Sequence, residues 1–234
     1  MPEPAHHPSG PLAVAVALAV AAGFVDAHIY VNVTPVFVAN MSGNLIHTGI
    51  LLGDGSWRTA LASLLTLAAF TGGVVAAAIH HDRQVQRSRR VQPTHLLGAE
   101  ALLLACLTTW MVLAPVAFTT QPRPVDYPVL LVAGVAMGLQ AAALRRVGDV
   151  AVATTYGTGA IVRIGEKLVL AARRADRTTG HRRRVAIAVL ALVLVSYVGG
   201  AVVATVAGSS PALLLAPTIV VGASAIASRR HLDG

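Results

Sequence analysis

Long apolar runs alternate with short polar or basic segments along this chain. Runs at residues 12–31, 59–80, 94–115, 129–144, 185–206 and 211–227 approach or exceed the roughly 20 residues that a helix needs to cross a bilayer core of about 30 Å. They predict six membrane-spanning helices. Thr34-Pro35 closes the first run, because proline lacks an N–H and disfavours a helical residue before it. Two further elements, at 37–53 and 150–172, are too polar and too interrupted by glycine to read as ordinary spans. In the first, the part after Ser42-Gly43 predicts a helix of about ten residues, roughly 15 Å or half a bilayer.

The two polar elements resemble each other. Ser42-Gly43 matches Thr158-Gly159, and Gly49 matches Gly165, both at a spacing of 116 positions in a chain of 234 residues. This predicts two related halves, each with one short polar element inside a helical bundle. Residues 1–11 read as a disordered tail, 12–115 as the first membrane repeat, 116–228 as the second and 229–234 as a cytoplasmic tail. The run at 12–31 lacks a basic flank and is too long for a secretory signal, so it is retained as a span.

Arginine sets the expected orientation. Arg83, Arg87, Arg89 and Arg90 cluster in 81–92, and Arg173, Arg174, Arg177, Arg182, Arg183 and Arg184 in 173–184. Both stretches should be cytoplasmic. An even number of crossings must then separate them, and the runs at 94–115 and 129–144 use up that number. The element at 150–172 is therefore expected to enter and leave on one side, as a re-entrant hairpin. If 37–53 behaves likewise from the opposite face, the fold is an all-α polytopic membrane protein with six transmembrane helices and two re-entrant helical hairpins. It forms two inverted three-helix repeats, with both termini cytoplasmic in an inner (plasma) membrane. Eight full spans is the rival plan, and it would strand six arginines outside.

Composition agrees with a membrane chain. Hydrophobic residues make up 55% and charged residues 12%, with a mean hydropathy of +0.69. The net charge of +8 sits in short loops beside apolar runs, which argues for positive-inside anchoring and against nucleic acid. Cys106 is the single cysteine, so no internal disulfide forms. No nucleotide-binding glycine loop, serine elbow, catalytic carboxylate pair or metal-ligand spacing is present. No enzyme activity, cofactor or metal is expected.

Candidate chemistry concentrates at the two hairpins. Backbone exposed at membrane depth is tolerated only in a protein interior or against a water-filled cavity. Asn40, Ser42, Gly43 and Asn44 suit one tight apex; Thr154, Thr155, Tyr156, Thr158 and Gly159 suit the other. Ser42 and Thr158 are placed to cap the following helices, whose amide ends would favour an anion or a carbonyl-bearing solute. The competing reading is close packing, with Gly49 and Gly53 as a GxxxG pair. Asp26 lies inside the first run, where a carboxylate costs a few kcal/mol and marks an ion or proton path, unless it simply ties the hairpin backbone. Gln140 is its approximate counterpart, with a one-residue gap. His28 and His47 read as structural, and Glu100 as reaching for water near the membrane edge.

The motifs Gly23-Phe24-Val25-Asp26-Ala27, Asn40-Met41-Ser42-Gly43-Asn44, Ala136-Met137-Gly138-Leu139-Gln140 and Thr154-Thr155 with Thr158-Gly159 resemble the YoaK-like family of bacterial inner-membrane proteins, a domain of unknown function. The resemblance covers residues 12–228. Serine stands at position 42 where such proteins commonly carry threonine, which keeps the hydroxyl. Ala141 stands where they commonly carry asparagine, so no role passes to it. The resemblance implies an integral membrane protein and brings no substrate. The physical reading is a membrane permease, carrier or channel-like, for a small polar or anionic solute, proton-coupled through Asp26. Membrane lipid is the other expected partner, and association with a second copy is left open. The alternative is a non-transporting scaffold or partner subunit with structural hairpins.

Overall fold

A computed structural model describes residues 9–87, 93–114, 116–143, 146–147, 150–151, 157–172 and 177–230. Eight α-helices run through them: α1 (Ser9–Asn32), α2 (Met41–Gly53), α3 (Trp57–Gln86), α4 (Thr94–Leu113), α5 (Asp126–Ala143), α6 (Gly157–Ala172), α7 (Arg177–Ala207) and α8 (Leu215–Arg230). A 3-10 turn at Pro211–Leu214 leads into α8, and a two-residue antiparallel ladder pairs Arg146–Val147 with Val150–Ala151. Six segments are long and apolar enough to cross a membrane: Gly10–Asn32, Trp57–Gln86, Thr94–Leu113, Asp126–Ala143, Arg183–Ala207 and Pro211–Arg229. The helices α2 and α6, of 13 and 16 residues, are not among them.

Several boundaries differ from the expected ones. Helix α3 continues to Gln86 through residues expected to be loop, and α7 begins at Arg177 inside the expected basic loop. Neither 81–86 nor 177–184 contains proline. A charged sequence beyond the bilayer edge keeps its backbone bonds as well in a helix as in a loop. Helix α5 starts at Asp126, with Pro128 in the first turn, where the missing N–H is an orphan in any case.

The core is built from small side chains. On α1, Ala15, Leu18, Ala19, Ala22, Val25 and Ile29 are all fully buried. Helix α1 packs along α7 and on α8, while α5 packs along α3 and on α4. Helices α4 and α8 meet, α2 lies on α3, α6 lies on α7, and α1 touches α5. Exchanging α1–α4 for α5–α8 returns the same set of neighbours.

The match extends to individual residues. A Cβ on Gly23 would strike the carbonyl oxygen of Tyr197, and one on Gly200 that of Val20. In the other pair, a Cβ on Gly138 would strike the carbonyl of Phe70, and one on Gly73 that of Val135. In each contact the struck carbonyl lies three residues before the partner glycine. Only glycine permits backbones this close, as small residues do where membrane helices cross. Gly72 and Gly199, next to Gly73 and Gly200, meet nothing within 4 Å.

Within the chain, Gly49 and Gly53 of α2 do not serve as a GxxxG packing pair. A Cβ added at either would likewise meet nothing within 4 Å, so none of the described helices packs there. Helix α2 buries Asn44, Thr48 and Leu51 and exposes Leu45, Ile46, Ile50 and Leu52. Two polar residues, Asn44 and Thr48, face inward and most of its large apolar side chains face outward, the reverse of a helix in water and the arrangement that suits lipid.

Candidate functional site

Beyond Asn32 the chain turns back along α1. The amides of Val38 and Ala39 both donate to Asp26 Oδ1, at 2.6 and 2.8 Å. Asp26 lies six residues before the end of α1, so this contact sits about 9 Å down the helix from Asn32. From there α2 rises through 13 residues, about 20 Å. It ends beside Trp57, and the Thr59 hydroxyl then reaches the carbonyl of Thr120 at 3.2 Å, while the Thr119 amide reaches the carbonyl of Val33 at 2.9 Å. The first turn of α2 therefore lies near the depth of Asp26.

Three side chains fix this loop. Asp26 is 3% exposed, and its second oxygen accepts the Tyr197 hydroxyl from α7. Asn44 is almost fully buried and pairs with both backbone groups of one residue: its Oδ1 accepts from the Phe37 amide at 3.0 Å and its Nδ2 donates to the Phe37 carbonyl at 2.6 Å. Asn40 caps α2, its Oδ1 accepting from the Gly43 amide at 3.2 Å and from the Ser42 hydroxyl at 3.0 Å. The cap is thus Asn40 and not Ser42, because its carbonyl stands three residues ahead of Gly43, the spacing an N-cap requires. Ser42 itself is exposed in the first turn. The Met41 amide donates to the Ala39 carbonyl, so two first-turn donors are already used by the chain.

On the elements joined by this loop, several buried polar atoms have no partner among the described residues. They are His28 Nε2, Thr34 Oγ1, His47 Nδ1 and Ser63 Oγ, from the end of α1, the turn after it, α2 and the start of α3. The His28 ring stacks on Phe24 at 5.9 Å between centroids, and its Nδ1 lies 3.3 Å from Asn32 Nδ2. An amide nitrogen only donates, so Nδ1 accepts and the unpaired Nε2 carries the ring hydrogen. Buried polar atoms in native proteins almost always find a partner, whether protein, water or ligand.

The other predicted site residues fall elsewhere. Gln140 is fully buried, and its Nε2 donates to the Leu18 carbonyl at 2.9 Å where α5 meets α1. Leu18 is eight residues from Asp26, about 12 Å along α1, so Gln140 is not brought to the hairpin. The glycine register also changes the expected pairing: Gly23 corresponds to Gly138, which sets Asp26 against Ala141 and Val25 against Gln140. Thr154, Thr155 and Tyr156 lie outside the described residues. Thr158 and Gly159 open α6, whose residues Ile161, Val162, Leu168 and Val169 are exposed. Glu100 does not reach water as expected. It is fully buried on α4 between Leu97 and Leu104, and neither carboxyl oxygen has a partner.

Tyr197 is the residue missed by the sequence reading. Its signal was present as Phe70-Thr71-Gly72-Gly73 and Tyr197-Val198-Gly199-Gly200, an aromatic followed two residues later by paired glycines, 127 positions apart.

The six long apolar helices define a multi-pass helical membrane protein, in which the short α2 is entered through a carboxylate-tied loop. The chain belongs to a family described as proteins of unknown function (DUF1275), which matches residues 14–227. It is 27% identical over 154 residues to the UPF0700 transmembrane protein YoaK of Bacillus subtilis (strain 168), covering 64% of each chain. No solved structure matches.

Proposed function

We propose that this chain is a membrane permease, carrier or channel-like, for a small polar or anionic solute. Its plan is two inverted repeats, each of three spans and one re-entrant element, with both termini on the cytoplasmic side of the plasma membrane. The exchange-equivalent packing of α1–α4 and α5–α8 supports the repeats, and the arginine distribution supports the orientation. The short α2, starting near the depth of Asp26 and too short to span, supports re-entry in the first half. The observation that carries a transport role is the group of unpartnered buried atoms on His28, Thr34, His47 and Ser63. Such groups need water or a solute, whereas a dry packed centre would have dispensed with them.

A scaffold is favoured by a different observation. Asp26, Asn40 and Asn44 spend their hydrogen bonds on the chain's own backbone, which is what a structural hairpin requires. The two readings separate on a thermal-shift screen of the purified protein against metabolite and ion libraries, followed by uptake into proteoliposomes. A solute that raises the unfolding temperature of the parent chain, and does not raise that of Ser63→Ala or His47→Leu, supports the permease. A screen in which no polar solute shifts the parent chain leaves the scaffold. For proton coupling, Asp26→Asn should fold and lose uptake; undiminished uptake removes Asp26 from the mechanism. Cysteines placed at Ser56 and Gln86 should be labelled from outside and inside the cell respectively, and the opposite pattern overturns the orientation.

A further inference from the structure

At the far end of α3 from the hairpin, two helices enclose a cleft of about 370 Å³. Its wall is formed by His80, Arg83 and Gln84 on α3, Arg87 at the helix end, and His95 in the first turn of α4. From Thr59 to His80 is 21 residues, about 32 Å along the helix, so the cleft is remote from the hairpin. The whole of α3, at 30 residues, is about 45 Å long and overshoots a hydrocarbon core of about 30 Å. Its last turns therefore stand at the headgroup level or beyond.

The wall has the chemistry of an anion site. Arg83 and Arg87 lie one turn apart on the same helix face and offer planar forks suited to phosphate oxygens. The His80 and His95 rings face each other edge to face, 5.8 Å between centroids. Gln84 Nε2 lies 2.8 Å from His80 Nε2. An amide nitrogen donates, so His80 Nε2 accepts and its hydrogen is placed on Nδ1 as a further donor. His95 sits where α4 begins, so the amide end of that helix adds positive potential. Among the described residues no carboxylate forms part of the wall. Asp82, the nearest in sequence, is on the exposed side, where its Oδ2 accepts from Gln86 at 2.7 Å. Two arginines in a shared cleft without an acid repel one another unless an anion joins them.

We propose that this cleft binds a phosphate group, presented either by an anionic lipid headgroup or by a soluble phosphate compound. The site is independent of the permease reading and stands or falls separately from it. The test uses the full chain in nanodiscs of phosphatidylcholine, with and without phosphatidylglycerol, and measures thermal unfolding, lipid retention by native mass spectrometry, and the response to inorganic phosphate. The comparison is between the parent chain, Arg83→Gln/Arg87→Gln, and Arg58→Gln/Arg123→Gln, which removes equal charge from the other end. Retention of phosphatidylglycerol by the parent and the Arg58/Arg123 variant, with about tenfold weaker retention in the Arg83/Arg87 variant, establishes a headgroup site. Stabilisation by inorganic phosphate in pure phosphatidylcholine, lost in the same variant, establishes a soluble phosphate site. Either response should weaken as salt is raised. No response to either probe, or equal responses in all three proteins, overturns the proposal.

Discussion

Replacing Tyr197 by phenylalanine removes one oxygen and gives α7 the aromatic that α3 carries at Phe70. In the parent chain, Asp26 accepts two amides on one oxygen and the Tyr197 hydroxyl on the other. A hydrogen bond to a charged group contributes about 1.5–3 kcal/mol, so Tyr197→Phe should destabilise by that amount. Asp26→Ala strands three donors, each at about 1–3 kcal/mol, or roughly 3–9 in sum. Removing a carboxylate from membrane depth offsets about 2.5–3.5 kcal/mol of this on insertion scales, leaving a net loss of roughly 3 kcal/mol at the middle of both ranges and at most about 6. Asp26→Asn keeps an acceptor for Val38 and Ala39 and offers its amide to the Tyr197 oxygen, so its cost should stay below about 1 kcal/mol. The expected order of damage is Asn at 26, then Phe at 197, then Ala at 26, measured by unfolding in mixed detergent micelles. Combined with Asp26→Ala, Tyr197→Phe should cost nearly nothing more, because its partner is already gone. Full additivity of the pair, or an Asp26→Ala protein as stable as Asp26→Asn, would refute the tie.

The glycines offer a paired test: Gly23→Ala, Gly73→Ala, Gly138→Ala and Gly200→Ala should each lower the unfolding temperature sharply, since the new methyl meets a backbone carbonyl. Gly72→Ala and Gly199→Ala, with open space around them, should be neutral or gain up to about 1 kcal/mol of helix propensity. Glu100→Met removes two unpartnered buried oxygens and should raise stability by about 1–3 kcal/mol in the same unfolding assay; a loss would mean the carboxyl has an unseen partner. Asn44→Leu leaves both polar groups of Phe37 unpaired and should cost about 2–4 kcal/mol, and Asn44→Gln, whose amide sits one methylene further out, should not restore it.

Much of the architecture was legible because apolar length is a strong signal: the six spans are fixed by runs that no soluble fold would bury. The helix ends were less legible. Charged residues at 81–86 and 177–184 read as loop by composition, yet a helix that has left the bilayer has no reason to stop there. The hairpin was visible as a cluster of Asn40, Ser42 and Asn44, but their division of labour was not. Whether Ser42 or Asn40 caps depends on where the helix starts, and a shift of two residues decides it. Tyr197 could not be linked to Asp26 by local pattern, since 171 positions separate them. Glu100 was misjudged because depth in a span says how far water is, and nothing about whether neighbouring helices block the way.

The pseudo-equivalence of the halves makes their chemical difference informative. The glycine register places Asp26 opposite Ala141, and Tyr197 corresponds to Phe70. Carboxylate and hydroxyl are therefore absent together from the α3–α5 crossing, although the close backbone approach that holds them at the α1–α7 crossing is kept. Had either alone been lost, a buried polar group would have been left without its partner, at about 1–3 kcal/mol. Joint loss avoids that. Restoring the pair by Ala141→Asp/Phe70→Tyr is then a direct measure of what the tie does. If the crossing geometry is as equivalent as the glycines indicate, the double variant should be more stable than the sum of its single variants, with a coupling of about 1.5–3 kcal/mol. A coupling near zero would show that the two crossings share a backbone path and differ in how their side chains approach.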